Sequence, residues 1–440
     1  MKRRVAVIGA GYAGLAAAME LVRAGASVTV YEANRVAGGR ARRIEYRDAT
    51  LDNGQHILLG AYEETLALMR ELGTLEGLAR FPLTVEMRSP PASGEGRGEG
   101  RRFHLAAPRW PAPLHLVAAL ATARGLTWKE RVAAMRFATG LKRAGFRPRA
   151  RTVAGLLAAQ PPRVRAWLWE PLCIAALNTP VAEADAQVFA NVLRDSLFRT
   201  RADSDLLVPR RDLSALLPDA ALEWLGHRGA MLRLGTRVAA LEPDVGAWTV
   251  RIASGSDHHD AVVCAVAPFQ LAALLPAHPA LATLREGVES LEHEPITTVY
   301  LQYGSSVRLP FPMLGLAGGH VQWVFDREAL SGARGLLAAV ISALGPHREM
   351  PQDVLATVAH REIAAAVGTL PPPRWTKAIT EKRATFACTP DAFRPPAASG
   401  MPGLYLAGDY VASDYPATLE SAVRSGRRAA RELLDSLASR

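Results

Sequence analysis

The chain has 440 residues, 49% of them apolar, which is enough for a sizeable core in two domains or in one domain with a large insertion. The formal net charge is +10, but the basic residues are dispersed and no zinc-finger, helix-turn-helix or RNA-binding motif accompanies them, which argues against nucleic acid and leaves background arginine usage or an anionic membrane surface. Three isolated cysteines, no signal peptide and no apolar run of membrane-spanning length predict a cytoplasmic protein with neither disulfides nor a metal site.

The N-terminal segment predicts a βαβ unit that binds a dinucleotide. Residues 5–8 form a short apolar run typical of a buried parallel strand, and the sequence Gly-Ala-Gly-Tyr-Ala-Gly follows at 9–14. Residues 15–24 have helical composition, and residues 27–31 are rich in β-branched side chains and lead into Glu32. A GxGxxG motif between a strand and a helix, with an acid after the next strand, is typical of FAD and NAD sites alike.

Each residue type in this unit has a physical role. Gly9 permits the tight turn, Gly11 lets the backbone approach a pyrophosphate, and Gly14 allows the helix to pack closely on the strand. The helix N-terminus offers free N–H groups to the phosphates, and Glu32 can accept hydrogen bonds from the ribose hydroxyls. We expect neighbouring residues of the same turns to complete the contacts: Tyr12, Ala13 and Ala33.

Two polar segments extend the predicted site. In the first, Gly39 suggests backbone passing close to the cofactor, and Arg40 is placed for a phosphate or for the flavin edge. The second, Asp-Asn-Gly-Gln-His at 52–56, is a polar turn before an apolar run, and such turns lie where α/β sheets bind ligands. Its predicted cofactor contacts are Asn53, Gly54 and His56. His56 is either a structural hydrogen-bonding residue or a proton donor.

The middle of the chain holds two long insertions, at 86–205 and 269–397. The first begins with a hairpin whose Gly-rich tip spans 89–102, and it continues with basic amphipathic helices near 114–123 and 128–144. These helices either pack on the core with a solvated basic face or lie on a membrane surface.

Between the insertions the chain returns to the nucleotide-binding part. The strand-like segment 236–241 can pair with 248–252 across a turn at 244–246, and 261–265 has the composition of another buried strand. Val238, in the first of these strands, is a further predicted cofactor contact.

The C-terminal segment favours FAD over NAD. A buried strand at 403–407 ends in a Gly-Asp turn, and a helix is predicted from Pro416 onward. Asp409 can bind a hydroxyl of the ribityl chain, while the helix N-terminus can point its N–H groups at the pyrimidine end of the isoalloxazine. The predicted contacts here are Gly408, Asp409, Thr418 and Leu419.

Together these elements predict an α/β (α+β) fold, with a Rossmann-like FAD-binding domain and an inserted substrate-binding domain of mixed sheet and helices. The FAD-binding domain is expected to be discontinuous and to take residues 1–85, 206–268 and 398–440. The substrate-binding domain takes 86–205 and 269–397.

The whole layout resembles the phytoene desaturase and amine oxidase superfamily of flavoproteins, and within it the squalene-associated branch of hydroxysqualene dehydroxylases. The N-terminal glycine motif and the C-terminal segments, GD at 408–409 and YPATLESAVRSG at 415–426, are those of the superfamily. The segments that point to the branch are DNGQH at 52–56 with LGAY at 59–62, LNTP at 177–180 and SDLLVP at 204–209. The match spans most of the chain.

This resemblance implies FAD as the cofactor and a C30 isoprenoid alcohol as the substrate, whose hydroxyl is removed reductively to give squalene. An acid protonates the allylic hydroxyl, water leaves, and reduced flavin delivers hydride in a site that excludes bulk water. Candidates for the acid are Asp205, Asp195, His56 and Tyr415, although each carboxylate could equally lie at the surface or cap a helix. Asn178 could orient the hydroxyl or belong to a plain turn, and Trp167 and Trp169 could line the tunnel or pack in the core.

Other functions stay open at this point. A carotenoid or phytoene-type desaturase shares the fold and the cofactor, as does an amine oxidase, although the C-terminal motif shows no clear aromatic cage. A prenyl-lipid-binding escort protein would use the fold without redox chemistry, and the intact glycines with Glu32, Arg40 and Asp409 argue against it. A lipid-soluble substrate suggests peripheral contact with the inner face of the cytoplasmic membrane. The sequence gives no oligomeric state.

Overall fold

The computed structural model describes residues 2–90 and 101–438. Its strands, in chain order, are β1 (Arg4–Ile8), β2 (Ser27–Glu32), β3 (Arg43–Tyr46), β4 (Ala49–Asp52), β5 (Leu58–Leu59), β6 (Leu78–Phe81), β7 (Thr84–Arg88), β8 (Arg102–Ala106), β9 (Leu206–Pro209), β10 (Met231–Leu234), β11 (Val238–Asp244), β12 (Ala247–Ile252), β13 (Gly255–His259), β14 (Ala261–Cys264), β15 (His293–Gln302), β16 (Met313–Leu316), β17 (Trp323–Asp326), β18 (Leu336–Ser342), β19 (Trp375–Phe386) and β20 (Leu404–Leu406). Its helices are α1 (Tyr12–Arg23), α2 (Glu63–Glu71), α3 (Leu114–Thr122), α4 (Trp128–Arg143), α5 (Val153–Leu156), α6 (Pro162–Val164), α7 (Glu170–Leu177), α8 (Ala186–Leu193), α9 (Leu213–Leu216), α10 (Pro218–His227), α11 (Pro268–Leu274), α12 (Ala282–Glu289), α13 (Arg327–Ser331), α14 (Gln352–Val367) and α15 (Leu419–Ala438). The Gly-rich tip predicted within 89–102 lies for the most part outside the described residues.

A five-stranded parallel sheet carries the predicted nucleotide-binding unit, in the strand order β10-β2-β1-β14-β20. Strands β1 and β14 are apolar along their buried length because helices α1 and α15 and strands β12 and β13 pack against them. Strand β14 lies between β1 and β20, so strands from the two ends of the chain finish at the same edge. The turn that follows each of them is therefore brought to one place.

Helices α1 and α15 pack against each other beside this sheet. Gly426 of α15 faces the backbone of α1 so closely that a Cβ there would overlap the carbonyl oxygen of Ala13. Helix α15 begins at Leu419, later than the predicted proline, because the Thr418 hydroxyl caps it: the Ser421 N–H donates to Thr418 Oγ1 at 3.1 Å.

The second large sheet has seven strands in the order β19-β15-β18-β17-β16-β7-β8 and is antiparallel except between β16 and β7. Helix α14 packs on one of its faces, where Leu355 and Ile363 join Val299 and Leu301 in a separate core. Side chains of the opposite face, such as Tyr300 and Phe325, belong to the main core that includes the parallel sheet.

The other sheets have two or three strands each. Strands β5, β9 and β6 form one, and β11, β12 and β13 form another, in which the predicted hairpin across 244–246 is confirmed. The mixture of one parallel and several antiparallel sheets confirms the predicted α/β (α+β) class. None of the helices within 2–90 and 101–438 is long and apolar enough to cross a bilayer.

Candidate active site

Two glycine turns lie next to each other at the carboxyl edge of the parallel sheet: the first spans residues 9–14 after β1, and the second spans residues 38–39 after β2. Gly9 and Gly14 are tightly enclosed, because a Cβ on Gly9 would come within 2.7 Å of the Ala265 oxygen and one on Gly14 would overlap the Gly9 oxygen. Gly11 is different: a Cβ there would meet only the Gly39 Cα, 4.0 Å away. A space without side chains therefore lies over the N-terminus of α1, whose first N–H groups border it.

Glu32 lies beside this glycine cradle at the end of β2. Its carboxylate accepts hydrogen bonds from the Ala10 N–H at 2.9 Å and from the Asn34 N–H at 2.8 Å. Its carbonyl oxygen accepts one from the Thr236 N–H at 2.8 Å, so the chain enters β11, whose first residue is Val238, from the carboxyl end of β2. The predicted ribose-binding acid and Val238 thus lie near the glycine turns.

The smaller predicted contacts surround the same turns. Tyr12 is buried, and its hydroxyl donates to the Leu213 carbonyl at 3.2 Å, so this side chain holds α1 to α9. Ala13 gives its carbonyl to the contact with α15, and Ala33 follows Glu32 in the turn after β2. Their contribution to a ligand would therefore come from the backbone.

The two ends of the chain meet in a salt bridge. Arg40, from the second glycine turn, contacts Asp409 Oδ1 at 2.7 Å and donates to the Ala384 carbonyl at 2.5 Å. Asn53 Nδ2 donates to the Arg40 carbonyl at 3.1 Å, so the 52–56 turn borders the same cleft. Burial favours the neutral guanidine, but the Asp409 carboxylate outweighs it and raises the pKa of Arg40. The first glycine turn and the final Gly-Asp turn therefore border one cleft.

The loop between Gly408 and α15 is held by its main chain. The Arg394 guanidinium donates hydrogen bonds of 2.6 to 3.5 Å to the carbonyl groups of Asp409, Tyr410, Val411, Ser413 and Tyr415. Burial lowers the pKa of Arg394. Sequence reasoning missed this residue, because a single arginine before two prolines forms no recognisable pattern.

These features fit FAD. The space that a side chain at Gly11 would fill, over a helix N-terminus, is suited to a diphosphate, and the Glu32 carboxylate beside it is suited to a ribose. Across the salt bridge, Asp409 and the start of α15 at Thr418 and Leu419 are placed for the ribityl chain and the pyrimidine ring.

An apolar cavity adjoins this cleft. Its wall includes Ile57 and Leu59, which follow the 52–56 turn, and Pro416 and Thr418, which precede α15. Most of the remaining wall is hydrocarbon or aromatic, for example Leu83, Leu116, Leu120, Trp169, Met313 and Trp323. Such a cavity is suited to a long apolar ligand that approaches the cleft with one end.

Two π-helical turns shape part of the cavity wall. They span Arg165–Trp169 and Arg194–Phe198, and each continues an α-helical segment with a wider turn. Trp169 lines the cavity from the first and Asp195 from the second. Single π turns are frequent at functional sites because they redirect a side chain that a regular helix would aim elsewhere.

A polar pair, Tyr415 and Asp195, lies in this wall. The Tyr415 hydroxyl donates to Asp195 Oδ2 at 2.9 Å, and Arg194 binds both Asp195 oxygens at 2.8 and 2.9 Å. Burial works to raise the pKa of Asp195, but Arg194 and Tyr415 together lower it, so the carboxylate is ionised at neutral pH. Burial and the Asp195 charge raise the pKa of Tyr415 to about 12, so its phenol keeps its proton.

The contacts of His56 favour a structural hydrogen-bonding role over that of a proton donor. Its Nδ1 lies 2.9 Å from the Gly54 carbonyl oxygen, and burial lowers its pKa. A carbonyl can only accept, so Nδ1 carries the proton of a neutral ring and Nε2 has none to donate.

Asp205 is engaged away from the cavity wall. Arg201 contacts its carboxylate at 2.8 Å and Arg80 at 3.0 Å, and only 1% of the residue is exposed. Both oxygens of this carboxylate are therefore occupied by arginine side chains and do not face the cavity. Of the proposed donors, the structure brings together Asp195 and Tyr415 and keeps Asp205 and His56 in other contacts.

Of the three predicted substrate residues, one lines the cavity and the other two make contacts elsewhere. Asn178 ends α7 in a left-handed conformation, donates to Thr385 Oγ1 at 2.9 Å and accepts from the Ala343 N–H at 2.8 Å, so it joins a helix to two strands. Trp167 packs against Phe103 and is not among the described residues of the cavity wall. Trp169 does line the cavity.

Solved oxidoreductase structures share this fold over the whole chain. An oxidoreductase from Methanosarcina mazei superposes with a TM-score of 0.75 at 16% identity, covering 98% of this chain and 100% of its own. Cyclohexylamine oxidase from Brevibacterium oxydans superposes with a TM-score of 0.69 at 19% identity, covering 100% of both chains. At these identities the likeness concerns the fold alone.

The family model for flavin containing amine oxidoreductases matches residues 12–434, from the glycine motif into α15. The expected cofactor is thereby confirmed, and it is FAD.

Curated relatives of known name match over almost their entire length. Hydroxysqualene dehydroxylase from Sinorhizobium fredii is 32% identical, and that from Rhodopseudomonas palustris is 33% identical, each over 98% of both chains. A 15-cis-phytoene desaturase from Synechococcus elongatus is 26% identical over 98% of this chain and 96% of its own. The chain therefore belongs to the flavin containing amine oxidoreductase family, and within it to the branch of the hydroxysqualene dehydroxylases.

Proposed function

We propose that this chain is an FAD-dependent hydroxysqualene dehydroxylase, which replaces the allylic C–OH bond of hydroxysqualene by a C–H bond and forms squalene. The observation that carries the proposal is the apolar cavity beside the cofactor cleft, with the Tyr415–Asp195 pair in its wall. Two relatives named for this activity and about one third identical supply the identity of the substrate.

The net reaction consumes one proton and one hydride equivalent and releases one water. When bound, FAD supplies the hydride equivalent as a two-electron carrier. The protein has to hold a C30 chain, keep bulk water away and provide the proton. The hydrocarbon wall of the cavity serves the first two needs, because it binds an apolar chain and excludes water around the reacting carbon.

Tyr415 is the proposed proton donor. Its phenol is protonated at neutral pH, and its proton moves to the substrate hydroxyl as that group leaves as water. Asp195, held ionised by Arg194, places a negative charge in the cavity wall and favours the positive charge that develops on the substrate. Arg424, 5.2 Å from the Tyr415 ring, and Arg194 stabilise the phenolate until water returns the proton.

An anaerobic single turnover tests this function. Photoreduced holoenzyme mixed with hydroxysqualene is expected to form one equivalent of squalene, measured by gas chromatography, and to regain the absorbance of oxidised flavin. Free reduced FAD with the same substrate is the control. A flavin that stays reduced with no squalene formed would overturn the proposal, and dehydrogenation of a carotene precursor by the oxidised enzyme would then identify a desaturase.

A further inference from the structure

Helices α3 and α4, which contact each other, and the loop before them carry five exposed large apolar side chains within residues 110–132. The exposed fractions are highest at Trp110 (56%), Leu114 (57%) and Trp128 (69%), and Val117 and Val132 are exposed as well. Leu114 and Val117 are three positions apart in α3, and Trp128 and Val132 are four apart in α4, so each pair lies on one helix face. Single exposed apolar residues are ordinary, but a cluster marks an interaction surface. We call these five residues and the helices that carry them the α3–α4 face.

Helix α3 is apolar on both sides. Its sequence, LHLVAALAT, has no lysine, arginine, aspartate or glutamate. Leu116 and Leu120 line the inner cavity, while Leu114 and Val117 are exposed. A helix that is hydrophobic all round is normally buried, so its outer side requires an apolar environment that the described chain does not supply.

Positive charge is concentrated around this face. Residues 107–150 contain nine lysines and arginines and one acid, Glu130, which gives a net charge of +8 out of +10 for the whole chain. Several of these side chains form no ion pair or side-chain hydrogen bond with any described residue: Lys129, Arg136, Lys142, Arg143, Arg147 and Arg149. Two copies of such a face would repel each other, whereas an anionic lipid surface would attract it.

A groove on the outer side of α4 leads toward the inner cavity. Trp128, Phe137 and Gln160 are among the residues that line it. The Phe137 ring packs against Trp169, with 4.9 Å between ring centroids, and Trp169 Nε1 donates to Gln160 Oε1 at 3.2 Å. Trp169 also lines the inner cavity, so one pair of rings separates the groove from it.

We propose that the α3–α4 face binds the surface of an anionic bilayer, and that the isoprenoid alcohol passes from that bilayer past the Phe137–Trp169 pair into the cavity. Exposed tryptophans with unpaired basic side chains are the composition of a helix that lies in the lipid headgroup region. The identity of the passing lipid rests on the proposed function, but the binding to a bilayer does not.

Sedimentation with vesicles of phosphatidylcholine, with and without phosphatidylglycerol, tests the binding of the holoenzyme. We expect binding only to the anionic vesicles, with release at high salt. Lys142→Gln with Arg143→Gln should lower the partition coefficient roughly 25-fold, a factor of about five for each side chain. Lys2→Gln with Arg3→Gln, a pair exposed beside β1, is the matched control and should change it by less than about twofold.

The double variant Trp110→Ser with Leu114→Ser tests the apolar contacts of the α3–α4 face with the bilayer. Its matched control is Val245→Ser with Val354→Ser, two exposed residues outside this face. The first pair should weaken vesicle binding and the second should not. Equal binding by both pairs, no wild-type binding to anionic vesicles, or a wild-type dimer in light scattering that the first pair converts to a monomer would overturn the proposal.

Turnover separates this proposal from the proposed function. The variants of the face should keep their flavin content and their rate with detergent-dispersed hydroxysqualene, and lose rate only when the substrate is embedded in vesicles. Normal vesicle binding with no squalene formed in either format would overturn the dehydroxylase function and leave the docking surface intact. Loss of rate in detergent as well would overturn the docking role of these residues.

Discussion

Tyr415 is the side chain on which the proposed chemistry depends most. We expect Tyr415→Phe to lower the rate of squalene formation by about 10²- to 10⁴-fold, because the ring remains and the proton is lost. Flavin content, measured by absorbance, should not change. Tyr303→Phe is the matched control, since that hydroxyl contacts His360 Nδ1 at 3.0 Å outside the cavity wall. A near-normal rate in Tyr415→Phe would show that the proton comes from another group.

The candidate donors could be named from the sequence but not ranked. An aspartate gives the same signal whether it faces a ligand or two arginines, and the partners that decide between these cases are distant in the chain. Tyr415 meets Asp195 across 220 positions, and Arg80 meets Asp205 across 125. Only the tertiary fold reveals that one carboxylate lies in the cavity wall and the other is neutralised elsewhere.

The contact between α1 and α15 depends on Gly426 of α15. We expect Gly426→Ala to destabilise the protein by about 1–3 kcal/mol, because the new methyl group overlaps the Ala13 carbonyl, and to reduce flavin retention, because both helices begin at the cleft. Gly140→Ala in α4 is the matched control: its Cβ would meet nothing within 4 Å, so it should stabilise by up to about 1 kcal/mol. Urea midpoints and flavin absorbance measure both effects, and equal midpoints for the two variants would contradict this account.

Secondary structure followed from the sequence where the pattern is local. The first strand, glycine turn and helix, the hairpin across 244–246 and the two helices of the α3–α4 face have nearly the predicted bounds. Helix α15 begins at Leu419 and not at the predicted Pro416, because the Thr418 hydroxyl caps the helix. The π-helical turns and the order of the seven-stranded sheet carry no local signal, since they depend on packing between distant segments.

Asp52, at the end of β4, connects helices α9 and α13 and strand β15. Its carboxylate accepts from the Leu213 N–H at 2.8 Å and lies 3.7 Å from Arg327, while its carbonyl accepts from the Tyr300 hydroxyl at 3.0 Å. Burial raises the pKa of Asp52 to about 6 in spite of Arg327. The folded protein therefore holds this proton more tightly than the unfolded chain does, and the Asp52 contribution to stability falls as the pH rises through about 6.

This junction predicts a pH-dependent difference between wild type and Asp52→Asn. Between about pH 5 and pH 7 the wild type should lose roughly 1 kcal/mol of unfolding free energy relative to the variant, which cannot ionise. Urea unfolding at the two pH values measures the change. Asp391→Asn, at an exposed carboxylate paired with Arg151, is the control and should follow the wild type. Parallel curves for wild type and Asp52→Asn would mean that another group titrates.

The meeting of the two chain ends was predictable because parallel strands finish at one edge of a sheet, and each end carried its own motif. The family relationship expected from those motifs is confirmed by the full-length relatives. A membrane surface was one of two alternatives for both helices of the α3–α4 face, but the prediction of a basic amphipathic helix was wrong for α3, which has no charged residue. A helix with apolar side chains on every side has no periodicity that separates a core position from a surface one, so only the exposed fractions of Leu114 and Val117 revealed its outer side.

The Arg394 contacts have a consequence for how such an enzyme can change. Carbonyl oxygens are common to every amino acid, so a loop fastened through them from Asp409 to Tyr415 keeps its course whichever side chains it bears. A different proton donor, or none, could therefore replace the phenol at its end without disturbing the carboxylate at its beginning. Because Arg394 holds only the main chain, a substitution at Tyr415 can change the reaction while Asp409 keeps its place in the cofactor site.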